Sequence, residues 1–260
     1  FQQSVGIYHW GGMAARGISE GVDRIAGFGA RSARVTLAPT YYTDYNLRAG
    51  CSNFSLIRLA QEPDVYNALG HAGIDVVMIT AYDGATFGNC ATHLYLNPGF
   101  YTPENTAALE QEYSDFVLYL HENFRNKRFI ISNWEGDNSV YCGSAYQYVI
   151  DEKFRDDPGI CGPTNYPKLY NGNATPRESL TGLQMWFEAR GRGIAQGNRR
   201  AEILLGSTSV QVYHAPEFSA VRMLRENGFP SVLYDVIPLV PFDFVSYSSY
   251  ESLSQYILGA

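Results

Sequence analysis

The sequence predicts an α/β fold of the (β/α)8 TIM-barrel type, present as six β-α units and therefore incomplete. Three observations predict it. Short apolar runs alternate with longer amphipathic stretches along most of the chain, the pattern of a parallel sheet covered by helices. Polar and aromatic residues gather at the C-terminal ends of the strand-like runs, as they do in barrels. No phosphate-binding glycine turn follows any strand, and Gly191-Arg-Gly193 falls in a helical stretch, which disfavours an open nucleotide-binding sheet.

In chain order, Val5–Trp10 is the first strand and closes on His9 and Trp10. Ile18–Phe28 reads as a helix, with Gly29 as its breaker. Ser32–Leu37 is the second strand and carries Arg34, a cation that is costly in mid-strand unless paired. Leu56–Ala72 is helical and stops at Gly73, and Ile74–Tyr82 is the third strand, ending in Tyr82-Asp83. Thr102-Pro103-Glu104 opens the helix Pro103–Phe124, with proline and an acid in its first turn. Phe129–Trp134 is the fourth strand. Thr175-Pro176 opens the next helix, Arg177–Gly197, before a fifth strand over Ala201–Ser209 with polar residues from Gln211 to His214. Pro216–Asn227 reads as a helix stopped by Gly228, Phe242–Ser248 as the sixth strand, and Ser252–Gly259 as the helix after it. Two insertions, Gly84–Tyr101 and Ser139–Asn173, read as long loops leaving strand ends. Residues 1–260 are thus expected to be one barrel-type domain, truncated before strands seven and eight.

Composition narrows the partners. A net charge of -7 and a pI near 5.2 argue against a general nucleic-acid or anionic-membrane surface. No run of about 18 apolar residues predicts a transmembrane helix. The 20 tyrosines suit polyhydroxylated ligands through a flat apolar face and a hydroxyl, and suit ordinary half-buried strands equally. The chain opens at Phe1 directly into a strand, so a leader is expected to have been removed. Cys51, Cys90, Cys142 and Cys161 all lie in loops without a CxxC pair, which favours two disulfides and an oxidising, secreted setting. Cys142–Cys161 would close one insertion and Cys51–Cys90 would tie two loops; three pairings are open. Asn53-Phe-Ser55 and Asn173-Ala-Thr175 match the N-glycosylation pattern.

The densest chemistry lies in Arg128–Asn138, where an apolar run ends abruptly in Asn133, Trp134, Glu135 and Asp137. Desolvation beside Trp134 would favour the protonated form that a proton-donating Glu135 needs. Asp137 fits either a hydrogen bond to that site or a Gly-Asp-Asn turn. Asp83 fits either a ligand-binding acid or a cap in Tyr-Asp-Gly. His9, Trp10 and His214 are strand-end residues that serve structural hydrogen bonds or a binding floor. No HExxH motif, paired histidine or serine nucleophile elbow is present, so no metal or cofactor is expected.

With these strand ends the chain resembles clan A, the (β/α)8-barrel retaining glycoside hydrolases. Val5-Gly-Ile-Tyr-His-Trp10 is similar to the clan's first strand, Ala33-Arg-Val-Thr-Leu37 to its second, Ile131-Ser-Asn-Trp-Glu-Gly-Asp137 to its fourth and Asp243-Phe-Val-Ser-Tyr-Ser-Ser-Tyr250 to its sixth. The resemblance implies a secreted enzyme acting on a β-linked oligosaccharide or polysaccharide with two carboxyl groups ~5–5.5 Å apart. It makes Glu135 the acid/base and gives substrate-side roles to Arg34, Tyr82, Asp83, Asn133, Trp134, Asp137, Tyr247, Tyr250, His9 and Trp10. In much of the clan the acid/base Glu directly follows Asn, whereas here Trp134 intervenes. The clan's nucleophile, a Glu ending strand seven, is expected beyond residue 260. Two alternatives stay open. One is a non-catalytic carbohydrate-binding barrel. The other is a barrel enzyme whose second acid is Asp83 or Glu251.

Overall fold

A computed structural model describes residues 6–8, 17–39, 54–86, 94–157, 159–161 and 175–249. The fold is mixed α/β with a parallel sheet. The chain divides into two compact units. One comprises Phe1–Ala91, Ala107–Ser132 and Arg190–His214; the other comprises Thr92–Thr106, Asn133–Ala189 and Ala215–Ala260.

Among the described residues the first unit holds five strands: β1 (Gly6–Tyr8), β2 (Ser32–Leu37), β3 (Val76–Ala81), β4 (Arg128–Ser132) and β5 (Gln211–His214). They pair in parallel in chain order, β1-β2-β3-β4-β5, without a reversal. That order is the singly wound pattern of barrels; a doubly wound sheet reverses at a switch point. Period-two alternation sets the two faces. Ala33, Val77, Phe129 and Val212 form one register row and are buried, whereas Arg34, Met78, Ile130 and Tyr213 form the next and are half-buried. The buried row lies under helices: Phe129 meets Phe124, just past the end of α4 (Pro103–Asn123), with ring centroids 5.5 Å apart. In residues 190–205 of α8 (Pro176–Leu205), glycine permits close helix packing. A Cβ at Gly197 would fall 2.6 Å from Val117 Cβ of α4.

α1 (Ile18–Gly27) contributes an apolar stripe of Ile18, Val22 and Ile25, and Asp64 caps its first turn by accepting from Ile18 N and Ser19 N at 2.7 and 3.1 Å. The stretch expected as one helix over Leu56–Ala72 is two: α2 (Leu56–Ala60) and α3 (Pro63–Gly70). Pro63 lacks an amide donor and is suited to a first helical turn, so it divides them.

The expected fifth strand over Ala201–Ser209 is corrected by the structure. Those residues continue α8 to Leu205, and the strand is Gln211–His214. Ile203, Leu204 and Leu205 imitate a buried strand in sequence, yet they are 80, 64 and 41% exposed at the helix end, and Gly206 at φ 70 terminates it.

The second unit contains α5 (Gly136–Val140), α6 (Ala145–Ile150), α7 (Glu152–Asp156), residues 176–189 of α8, α9 (Arg222–Glu226), and β6 (Glu217–Phe218) paired in parallel with β7 (Ser246–Tyr247). The helix expected over Pro216–Asn227 is therefore a strand followed by a short helix. The stretch expected as a loop after Ser139 instead carries α6 and α7. Within that stretch Cys142 and Cys161 form a disulfide with Cα atoms 5.3 Å apart. Tyr141, Tyr148 and Phe229 cluster beside it, with centroids 4.9 to 6.1 Å apart. Cys51, Cys90, Asn53, Asn173 and the Ser252–Gly259 helix lie outside the described residues. Among the described residues no helix is long and apolar enough to cross a membrane.

Candidate functional site

In the second unit the chain leaves β4 through Asn133 and at once enters a dense polar arrangement. Asn133 is buried, and its side chain pairs with the backbone of Glu217 as a neighbouring strand would. It donates through Nδ2 to Glu217 O at 3.1 Å and accepts at Oδ1 from Glu217 N at 2.9 Å. The two bonds together fix the orientation of the amide. Glu217, which sequence reasoning missed, is 0% exposed. Its Oε1 accepts from Glu135 N at 3.0 Å and from Ser248 Oγ at 2.8 Å, and its Oε2 accepts from Ser246 Oγ at 2.7 Å. Burying a carboxylate is costly unless donors surround it, and here they do.

Glu135 follows Trp134 with φ 29 and ψ 74, a left-handed backbone for a residue that is not glycine, and it is 5% exposed. Such backbone costs ~1–3 kcal/mol and persists where the surroundings over-determine it. The bond from Glu135 N to the Glu217 carboxylate offsets that cost, since hydrogen bonds to charged groups contribute ~1.5–3 kcal/mol. The Glu135 carboxylate is held in turn: Asn138 Nδ2 donates to Oε2, while Asn138 Oδ1 accepts from Ala145 N at 2.8 Å. Gly136 meets a steric demand. A Cβ there would stand 2.7 Å from Glu217 O, so only glycine lets the two segments approach.

Asp137 is 0% exposed and accepts three backbone N–H bonds. Ser219 N and Ala220 N reach Oδ2 at 2.8 and 3.1 Å, and Val232 N reaches Oδ1 at 2.8 Å. Its carboxylate thus fastens the residues after β6 and the turn at Val232, a use beyond the Gly-Asp-Asn turn itself. Trp134 is half-buried. Tyr247 lies on the side of β7 away from the acids: Ser246 and Ser248 reach Glu217, while Tyr247, 40% exposed, stacks on Phe218 with centroids 4.9 Å apart.

Arg34, Tyr82 and Asp83 belong to the first unit. Arg34 Nε donates to Thr80 Oγ1 at 3.0 Å from the half-buried face of the sheet. Tyr82 is buried. Asp83 accepts from Thr86 N and Thr86 Oγ1, both at 2.7 Å, which makes it a turn cap. Around it sits a buried polar cluster that the sequence did not disclose. Glu112 of α4 accepts from Leu56 N at 3.2 Å and Gly84 N at 3.3 Å. Burial, and next the charge of Asp83, push its carboxyl up to about 8. Fully buried Arg190 donates through Nε to His214 Nε2 at 3.0 Å, and burial lowers its pKa. Burial likewise holds the Tyr113 hydroxyl well above its usual range while it donates to Ala81 O at 3.2 Å. His9, Trp10, Tyr250 and Glu251 lie outside the described residues.

Glu217 escaped the sequence reading because Pro216-Glu217 has the form of a helix start, with proline first and an acid in the first turn. The signal that could have found it is the alternation at Ser246 and Ser248, two small hydroxyls on one side of a strand. Among the described residues no three His, Cys, Asp or Glu side chains are grouped to hold a metal ion.

No protein-family model matches the sequence, and no curated protein matches it. Among solved structures the chain is similar to virulence factor SghA from Agrobacterium tumefaciens, with 10% identity, 77% of this chain and 36% of that chain covered, and a TM-score of 0.34. The match spans about a third of that chain's length, at 36%, and a likeness of this size assigns neither fold nor function.

Proposed function

We propose that this chain is the proton-donating, sugar-holding part of a glycoside hydrolase-like barrel protein that cleaves β-linked glycosides with retention. Glu135 protonates the leaving oxygen and afterwards activates water. The nucleophile is a second carboxylate outside the described residues. The observation that carries the reading is Glu135 itself: an acid only 5% exposed, three residues past a parallel strand, in left-handed backbone. Backbone strain of that kind clusters at functional sites. The Asn138 bond to Oε2 orients the carboxyl group, and orientation is most of what a general acid requires of its surroundings.

Glu217 is a poor nucleophile. Both its oxygens accept hydrogen bonds and it has no exposed surface, so a sugar carbon has no approach to it. This favours a second carboxylate from elsewhere. The unreversed order of the five-stranded sheet supports the partial barrel. The Cys142–Cys161 disulfide supports an oxidising, secreted setting. Substrate-side roles for Arg34, Tyr82, Asp83, Asn133, Trp134, Asp137, Tyr247, Tyr250, His9 and Trp10 rest on the resemblance to clan A. Of these, Asn133 and Asp137 act through the framework of the site.

The test is hydrolysis of β-linked oligosaccharides by the full-length protein, followed by NMR of the first-formed product. Retention of the β-anomer is the expected result. Binding without cleavage, at any substrate concentration, would move the protein to the non-catalytic carbohydrate-binding class.

A further inference from the structure

We infer that Glu217 is the positioning residue for Glu135, an inference that deepens the glycosidase reading and rests on it. Glu217 touches Glu135 through the backbone. Its Oε1 takes the Glu135 N–H at 3.0 Å, which fixes the peptide plane between Trp134 and Glu135. With that plane fixed and Asn138 holding Oε2, the acid is set from two sides, its backbone and its carboxyl group.

The clamp is itself held rigidly. Ser246 and Ser248 donate to the Glu217 carboxylate at 2.7 and 2.8 Å, and the Asn133 amide grips the Glu217 backbone in both directions. β6 and β7 pair in parallel at this point, Glu217 opposite Ser246, so the hydroxyls stay in register with the acid. Gly136, next to Glu135, lets the Glu217 carbonyl approach. The motif Asn133-Trp-Glu-Gly-Asp137 is thus read by one partner: Asn133 binds its backbone, Glu135 binds its carboxylate and Gly136 gives it room. Asp137 ties down the two residues after β6 through Ser219 N and Ala220 N. None of these bonds needs substrate, so the acid is placed before any sugar arrives, as efficient proton transfer requires.

The experiment uses the full-length protein with three variants, Glu217→Gln, Glu217→Ala and the double variant Ser246→Ala/Ser248→Ala. Two readouts are taken: amide hydrogen exchange at Glu135, which needs no substrate, and kcat and KM on 4-nitrophenyl β-glycosides. Glu217→Gln keeps an acceptor for the Glu135 N–H, so it retains most of the exchange protection and stays within about tenfold of wild type in kcat. Glu217→Ala loses the protection and drops kcat about a hundredfold or more with KM little changed. The serine pair, which leaves Glu217 in place but unanchored, falls between them and guards against a variant that fails to fold. Equal protection of the Glu135 amide in all four proteins would overturn the clamp, whatever the activity. Equal kcat in wild type and folded Glu217→Ala would overturn its role in catalysis. If the wild type cleaves nothing, the function proposed for Glu135 falls, while the exchange data still decide whether Glu217 holds it.

Discussion

Asp137 shows how much a single side chain can organise. Three backbone N–H groups converge on its two oxygens, and all of them are buried. Replacing Asp137 with Ala strands three donors at ~1–3 kcal/mol each. The expected loss is therefore at least about 3 kcal/mol, with Asn losing less because one oxygen remains. Urea unfolding of the three proteins measures it, and a midpoint for Asp137→Ala equal to wild type would contradict the assignment. The sequence offered this residue as a hydrogen-bonding neighbour of Glu135 or as a member of a Gly-Asp-Asn turn, and neither reading carries a sign of its long-range backbone bonds. Glu135 was legible because an apolar run ends beside it. Glu217 was not, since its partners lie 82 positions away at Glu135 and 84 positions away at Asn133, and nothing local marks it. Pairing over such distances is set by tertiary structure, which local propensity does not carry.

At the scale of elements, β2 and β3 were readable because apolar runs bounded by Gly and polar residues have few other uses. The end of α8 was not. Ile203, Leu204 and Leu205 have the composition of a strand, but an established helix of good formers such as Arg199, Arg200 and Glu202 carries through them. α4 carries a second consequence, in Glu112. Its folded pKa is raised above the unfolded value, to about 8, by burial and by Asp83. The folded state therefore holds a proton that the unfolded state releases between the usual carboxylate range and pH 8. The stabilisation from this proton is complete below that window and is lost as pH rises through about 8. Glu112→Gln, which mimics the protonated acid, should flatten the decline. Thermal midpoints across pH 5 to 9 for both proteins measure the difference, and parallel curves would refute the buried proton.

At the scale of the molecule, the alternation of strands and helices disclosed a parallel sheet, whereas the sheet's unreversed order is a tertiary feature, since doubly wound sheets show the same alternation. The division into two compact units was not legible, because α4 and α8 each run unbroken across the sequence boundaries that separate them. Glu135 as proton donor is open to a test through leaving-group chemistry. A general acid matters only when the departing oxygen needs a proton. In the full-length protein, Glu135→Gln should lower kcat/KM on 4-methoxyphenyl or alkyl β-glycosides by ~10²–10⁴-fold, while 2,4-dinitrophenyl β-glycosides, whose phenolate leaves unaided, lose far less in the bond-breaking step. An equal loss on both leaving groups, or no loss on either, would contradict Glu135 as the proton donor.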